Sequence, residues 1–236
     1  MLVEFSAPPA SGKSSVAKAL SEDGYKLFRR SAQGRGSALF YATLLLSPKF
    51  VLTFLHRIFF FFVNYGALSF KRKLVSAFIA AQANELKGRK SWYVRDQGYF
   101  QLGDWVPAEG GKDSESLLKA LQAIGGAPDA VVFIDIPPQV VYEKLRRRGD
   151  LQKWENRAKL LGFSGALERL IDQKALDSVK YEICDIARIP YAVLQINERE
   201  DIFNVNYHFP DSDLASFNAQ IFSLVDSIKG YWRPFS

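Results

Sequence analysis

The sequence predicts an α/β protein built on a parallel sheet with helices on both sides, and three observations carry that expectation. Short apolar runs recur along the chain, at residues 2–6, 25–28, 91–95, 130–136 and 191–196. Helical periodicity follows the first and fourth runs and returns near the end of the chain. Ala130-Val131-Val132-Phe133-Ile134-Asp135-Ile136 is almost uninterrupted apolar sequence, as strands covered on both faces are. With 236 residues, 48% hydrophobic and 24% charged, the chain can bury a substantial core and wholesale disorder is excluded. No repeat or low-complexity linker divides it, so a single domain over 1–236 is expected.

Taken in order, the first strand ends in Ala7-Pro8-Pro9-Ala10. A helix then starts near Gly12, with Val16, Ala19 and Leu20 spaced three and four apart. The strand at 91–95 stops at Asp96-Gln97-Gly98. Pro137-Pro138 opens a helix through Arg148, because a first-turn residue has no helical partner for the N–H that proline lacks. Val140, Val141 and Leu145 form its buried stripe. A strand at 191–196 and an amphipathic helix at 214–228 complete the set.

Residues 37–70 stand apart. They contain Leu44-Leu45-Leu46 and Phe59-Phe60-Phe61-Phe62, interrupted by Pro48, Lys49, His56 and Arg57. The uncharged pieces fall short of the roughly 18–20 apolar residues that a membrane span requires, so no transmembrane span is expected. Two helices hinged near Ser47-Pro48 fit the pattern, as a buried insertion or a homodimer contact. Peripheral membrane contact through 39–63, helped by Lys71-Arg72-Lys73, and an apolar wall for a substrate are the alternatives.

Charge and composition narrow the function classes. Thirty-one Lys and Arg against 25 Asp and Glu give a net +6, which suits an anionic ligand. The basic residues are scattered and no nucleic-acid-binding module is visible, so no nucleic-acid partner is expected. A single cysteine, Cys184, excludes an intramolecular disulfide, and two histidines cannot complete a Cys/His metal cage. Cys184 reads as a small core hydrophobe, and His56 and His208 as packing or surface residues. The opening Met1-Leu2-Val3-Glu4-Phe5 lacks the basic-then-apolar order of a secretory signal, which points to a cytoplasmic protein.

The chemistry lies first in Ala7-Pro8-Pro9-Ala10-Ser11-Gly12-Lys13-Ser14, followed by Ser15. This is the phosphate-binding loop pattern with alanine in place of its first glycine. Such a loop aims backbone N–H groups at phosphate oxygens, sends a lysine to the β and γ phosphates and places a hydroxyl on Mg²⁺. The helix that follows adds its positive end. Alanine at position 7 costs little in an extended conformation and more if φ must be positive.

A parallel sheet places functional groups at the carboxyl ends of its strands, and Asp96 ends the third on that criterion. Its carboxylate can hold a water of a Mg²⁺ shell or accept a proton from an attacking hydroxyl. Asp104-Trp105 follows, as an acceptor pocket or a surface loop. Asp135 is read as structural. Arg146-Arg147-Arg148-Gly149-Asp150 closes one helix, with Lys153 and Arg157 beyond. These arginines suit a solvated helix end, or a flap that brings guanidinium groups onto a transferring phosphoryl.

On residues 7–14, Asp96-Gln97-Gly98, the strand and helix from Val131 to Arg148, and Arg148-Gly149-Asp150-Leu151, the chain resembles the thymidylate kinase branch of the P-loop kinases, relatives of the deoxynucleoside kinases. The likeness covers about two thirds of the sequence, and residues 37–83 match nothing in it. It implies a three-layer P-loop NTPase fold with a five-stranded parallel sheet, a helical insertion at 37–83 and an arginine-rich lid at 146–163. It implies ATP and Mg²⁺, a small-molecule acceptor and γ-phosphoryl transfer. Lys13 would sit on the β and γ phosphates, Ser14 on Mg²⁺, and Asp96 at the metal or the acceptor. Arg146, Arg148 and Arg157 would belong to the lid and Asn197 would lie near the adenine. Family members carry arginine after the aspartate, where it grips the acceptor's phosphate. Gln97 stands there in this chain, leaving Arg29, Arg30, Arg35 or Arg95 to compensate, or pointing to a sugar or lipid-linked alcohol as acceptor. A nucleotide-dependent ATPase or switch that docks on a protein or membrane is the alternative.

Overall fold

Every strand expected from the sequence forms, and one more joins them. A computed structural model describes residues 1–22, 26–28, 47–64, 70–86, 93–95, 100, 118, 122, 127–210 and 215–232. Among these, the elements run β1 (Leu2–Ser6), α1 (Lys13–Glu22), β2 (Lys26–Phe28), α2 (Pro48–Asn64), α3 (Phe70–Leu86) and β3 (Tyr93–Arg95). They continue with β4 (Ala130–Asp135), α4 (Pro138–Arg147), α5 (Leu151–Leu160), α6 (Ala166–Ile186), β5 (Tyr191–Ile196), β6 (Ile202–His208) and α7 (Ala215–Tyr231). The chain packs as two compact units, one of Met1–Glu4 with Gly24–Ala130, the other of Phe5–Asp23 with Val131–Ser236, and β1 runs through both.

In the first unit the strands are hydrogen-bonded in the order β2-β3-β1. Both pairings are parallel, with Phe28 and Glu4 each in register with Arg95. Its core joins Leu2, Tyr93 and Phe50 to Ala81, Ala83 and Leu86 of α3. Phe50, Phe54 and Phe78 pack edge to face and stacked, with ring centroids 5.5–6.3 Å apart.

Ser47-Pro48 starts a helix. The Ser47 hydroxyl accepts the Phe50 N–H at 3.3 Å, and its carbonyl accepts the Val51 N–H at 3.0 Å. Serine at the cap followed by proline in the first turn satisfies one orphan N–H and removes another. The residues before Ser47, where the other expected helix falls, lie outside the described ones.

In the second unit the order is β1-β4-β5-β6. β4 and β5 are parallel, from Val131 opposite Tyr191 to Asp135 opposite Gln195. β6 is antiparallel to β5, with a register shift at Gln195/Ile196. β6 is thus a strand of opposite sense that the sequence reading did not include. Ile202-Phe-Asn-Val-Asn-Tyr-His208 alternates apolar and polar residues, which suits a sheet edge with one wet face. Behind it, Ile134, Ile136, Val140, Val141, Leu145, Leu170 and Ile196 make one apolar cluster. Cys184 is fully buried in α6, and His208 stacks on Tyr191 with 4.8 Å between ring centroids. Asp135 pairs with Lys174, in line with its structural reading.

Candidate functional site

The loop between β1 and α1 is built by backbone conformation. Ala10 has φ 56° and Gly12 has φ 89°, with Ser11 between them outside the left-handed region. Alternation of this kind turns successive N–H groups toward one side, making a concavity that suits an anion. Glycine adopts such a φ without strain, whereas alanine must be held there by its surroundings. Ala7 has no positive φ, so the missing first glycine is tolerated, and the strain lies at Ala10 instead. The methyls of Ala7 and Ala10 pack against the Ile134–Leu170 cluster, which holds them in place.

α1 starts directly behind this concavity, its first turn closed by the Val16 N–H on the Gly12 carbonyl at 3.1 Å. Lys13 is folded back across the loop. Its ammonium donates to the carbonyls of Ala7 at 3.2 Å and Pro8 at 3.3 Å. Ser11 is 1% exposed, and its hydroxyl has no hydrogen-bond partner among the described residues. A buried hydroxyl without a partner costs about 1–3 kcal/mol, and an arriving oxygen would remove that cost. Cation, concavity, helix amino terminus and unmatched donor all favour a phosphate chain here. Ser14 and Ser15 follow in the first turn of α1.

The expected lid occupies the same unit. α4 ends in a Schellman turn, with Asp150 N–H on Leu145 O at 3.0 Å and Gly149 N–H on Arg146 O at 3.1 Å. Gly149 takes φ 72° there, a conformation glycine reaches at little cost. The turn feeds straight into α5, whose Leu151 and Trp154 pack on the cluster that carries Ala7 and Ala10. The middle of α5 is tied to the start of α6 by Glu155, which accepts the Ala166 N–H at 2.9 Å. Arg146 pairs with Glu143 at 2.8 Å on the surface, and Arg148 and Arg157 are exposed. Asn197 shapes the β5–β6 turn, its side-chain carbonyl accepting the N–H groups of Arg199 at 2.9 Å and Asp201 at 3.0 Å.

Beside that turn is a buried network. Lys144 lies 3.2 Å from Glu200, and the Trp232 indole donates to the Glu200 carbonyl at 2.8 Å. Burial pushes the Lys144 ammonium below its usual range, against the opposing pull of Glu200. Nothing in the spacing of these residues announced the network; Glu200 follows the β5 run by four positions and reads as turn sequence.

On the acceptor side, Asp96, Gln97 and Arg35 lie outside the described residues, as do Asp104 and Trp105. Arg95 is 2% exposed and forms a buried ion pair with Glu4 at 2.8 Å. Its charge is matched by Glu4 inside the first unit. The other Glu4 oxygen accepts the Phe100 N–H at 2.9 Å. One carboxylate thus holds the chain on both sides of residues 96–99. Glu4 was legible only as an interruption of an apolar run; a lone acid in a strand covered on both faces signals a buried cation.

No protein-family model matches this sequence, and no curated protein matches it. Among solved structures it is similar to deoxyadenosine kinase from M. mycoides, with 13% identity over 97% of this chain and 100% of that one and a TM-score of 0.46. It is similar to the YorR protein from Bacillus subtilis in complex with phosphorylated GDP, with 15% identity over 96% and 97% of the two chains and a TM-score of 0.42. Thymidylate kinase from Ehrlichia chaffeensis is matched with 12% identity over 95% and 98% and a TM-score of 0.36.

Proposed function

We propose that this chain is an ATP-dependent phosphotransferase that moves the γ-phosphoryl of ATP to a hydroxyl of a small-molecule acceptor. The observation that carries the reading is the Lys13 ammonium laid across a loop whose residues 10 and 12 are both left-handed, at the mouth of α1. In this reading the loop N–H groups and Lys13 hold the β and γ phosphates. The bond from the γ phosphorus to the acceptor oxygen forms as the bond to the β–γ bridging oxygen breaks. ADP leaves, and Asp96 takes the hydroxyl proton or orients it. Catalysis is then positioning and charge stabilisation.

Mg²⁺ suits the hydroxyl and carboxylate oxygens of Ser14 and Asp96, which are hard donors, and would neutralise charge on the phosphates. Arg146, Arg148 and Arg157 supply the mobile positive charge of the lid. Gln97 brings no charge to the acceptor, so a nucleoside, sugar or lipid-linked alcohol is favoured over a nucleoside monophosphate.

Calorimetry with MgATP, followed by radiolabelled transfer to a panel of nucleosides, monophosphates and sugars, tests the reading. Saturable heat and one labelled acceptor are expected; no heat with either purine triphosphate sinks it. Nucleotide hydrolysis coupled to docking is the second reading, favoured by the exposed apolar residues of α2. Hydrolysis undiminished without any acceptor would select it.

A further inference from the structure

α2 is apolar on two opposite faces. Phe50, Phe54 and Phe61 point one way, and Phe50 and Phe61 are fully buried. The other face carries Leu52, Leu55, Phe59, Phe62 and Val63, at the three- and four-residue spacing of one helical stripe, and all five are exposed. Leu52 keeps 73% of its surface in solvent and Phe59 69%. A helix that only had to pack against α3 would be polar on that side.

The charges around the stripe share one sign. Residues 48–64 contain no Asp or Glu, and Lys49 and His56 lie exposed along one border. α2 and α3 together hold five Lys and Arg against a single acid, Glu85. The Glu85 carboxylate is engaged by the Ser47 hydroxyl at 3.1 Å. The Lys73 ammonium, on a side chain only 6% exposed, lies 4.7 Å from the centre of the Phe62 ring.

We propose that this face of α2 docks on the surface of an anionic lipid membrane. The helix would lie in the plane of the interface, with Leu52, Leu55, Phe59, Phe62 and Val63 at the acyl boundary and Lys49 among the headgroups. No helix among the described residues is long and apolar enough to cross a membrane. A second copy fits less well: two such faces meeting about a two-fold axis would oppose the same basic residues with no acid on the helix to answer them. This surface does not depend on the nucleotide chemistry.

Flotation with phosphatidylcholine vesicles, and with vesicles containing about one third phosphatidylserine, tests it on the full chain. The protein should float with the anionic vesicles and lose about tenfold or more of that binding in Leu52→Ser and in Phe59→Ser. Both residues are exposed, so both variants should keep the wild-type melting curve, and two separate sites guard against one misfolded protein. Binding should weaken in high salt. Equal flotation with neutral and anionic vesicles would overturn the proposal. So would no flotation at all, or a dimer by light scattering that Phe59→Ser breaks while vesicle binding is absent.

Discussion

The loop at residues 7–13 and the helix α2, the two regions proposed here to bind partners, are made by opposite means. The loop works through its backbone: two left-handed residues and a helix amino terminus create the hollow, and the side chains mostly hold that shape. α2 has an ordinary helical backbone, and its outward face is made entirely of side chains. Backbone-borne function restricts which residues can appear, so it leaves a motif. Side-chain-borne function leaves only a pattern of exposure, which a sequence does not print.

The sharpest way to break this comparison is a pair of substitutions. Lys13→Ala should lower phosphoryl transfer by about 10²–10³-fold while leaving vesicle flotation intact. Phe59→Ser should do the reverse, with transfer measured in detergent-free solution. If either change moved both readouts, the two regions would not be separate devices.

Next in size is Glu4. Removing one partner of a buried ion pair leaves the other uncompensated, so Glu4→Ala should destabilise the protein by about 3–5 kcal/mol in urea denaturation. Glu4→Gln, which keeps an acceptor for Phe100, should lose less. Equal stability of Glu4→Ala and wild type would refute the pairing with Arg95.

Ala10 offers a finer test of the backbone half. Left-handed alanine carries a steric cost of about 1–2 kcal/mol, and glycine returns part of it as unfolded-state entropy. Ala10→Gly should therefore raise stability by about 0.5–1 kcal/mol, whereas Gly12→Ala should lower it by about 1–2 kcal/mol. A destabilised Ala10→Gly protein would mean that the methyl's packing outweighs the strain.

The smallest effect is one of pH. Burial lowers the folded-state pKa of Lys144 from 10.5. Between that lowered value and 10.5 the unfolded chain holds the proton more often than the folded one, so this group makes stability rise with pH across the window. In Lys144→Met that rise should shrink, seen as a flatter difference between urea midpoints at pH 8 and pH 10.

Much of this architecture could be read from the residues in advance. The apolar runs that became β1, β3, β4 and β5 are short and bounded by turn residues, and Pro138 and Ser47 sit where helix starts require them. β6 escaped because its Ile-Phe-Asn-Val-Asn-Tyr-His pattern is half polar, and an edge strand needs no continuous apolar run. At the site, Lys13 and Gly12 announced themselves through spacing. The strain at Ala10 did not, because nothing in an alanine's identity reveals its φ. The burial of Arg95 followed from a partner 91 positions away, Glu4, which local pattern cannot supply.

The last turn of α7 has a consequence for any shortened version of the chain. Trp232 fastens the carboxyl-terminal helix to Glu200 and rests on the apolar floor that also supports Ala7 and Ala10. Trimming from Tyr231 onward would remove a plug from beneath the loop.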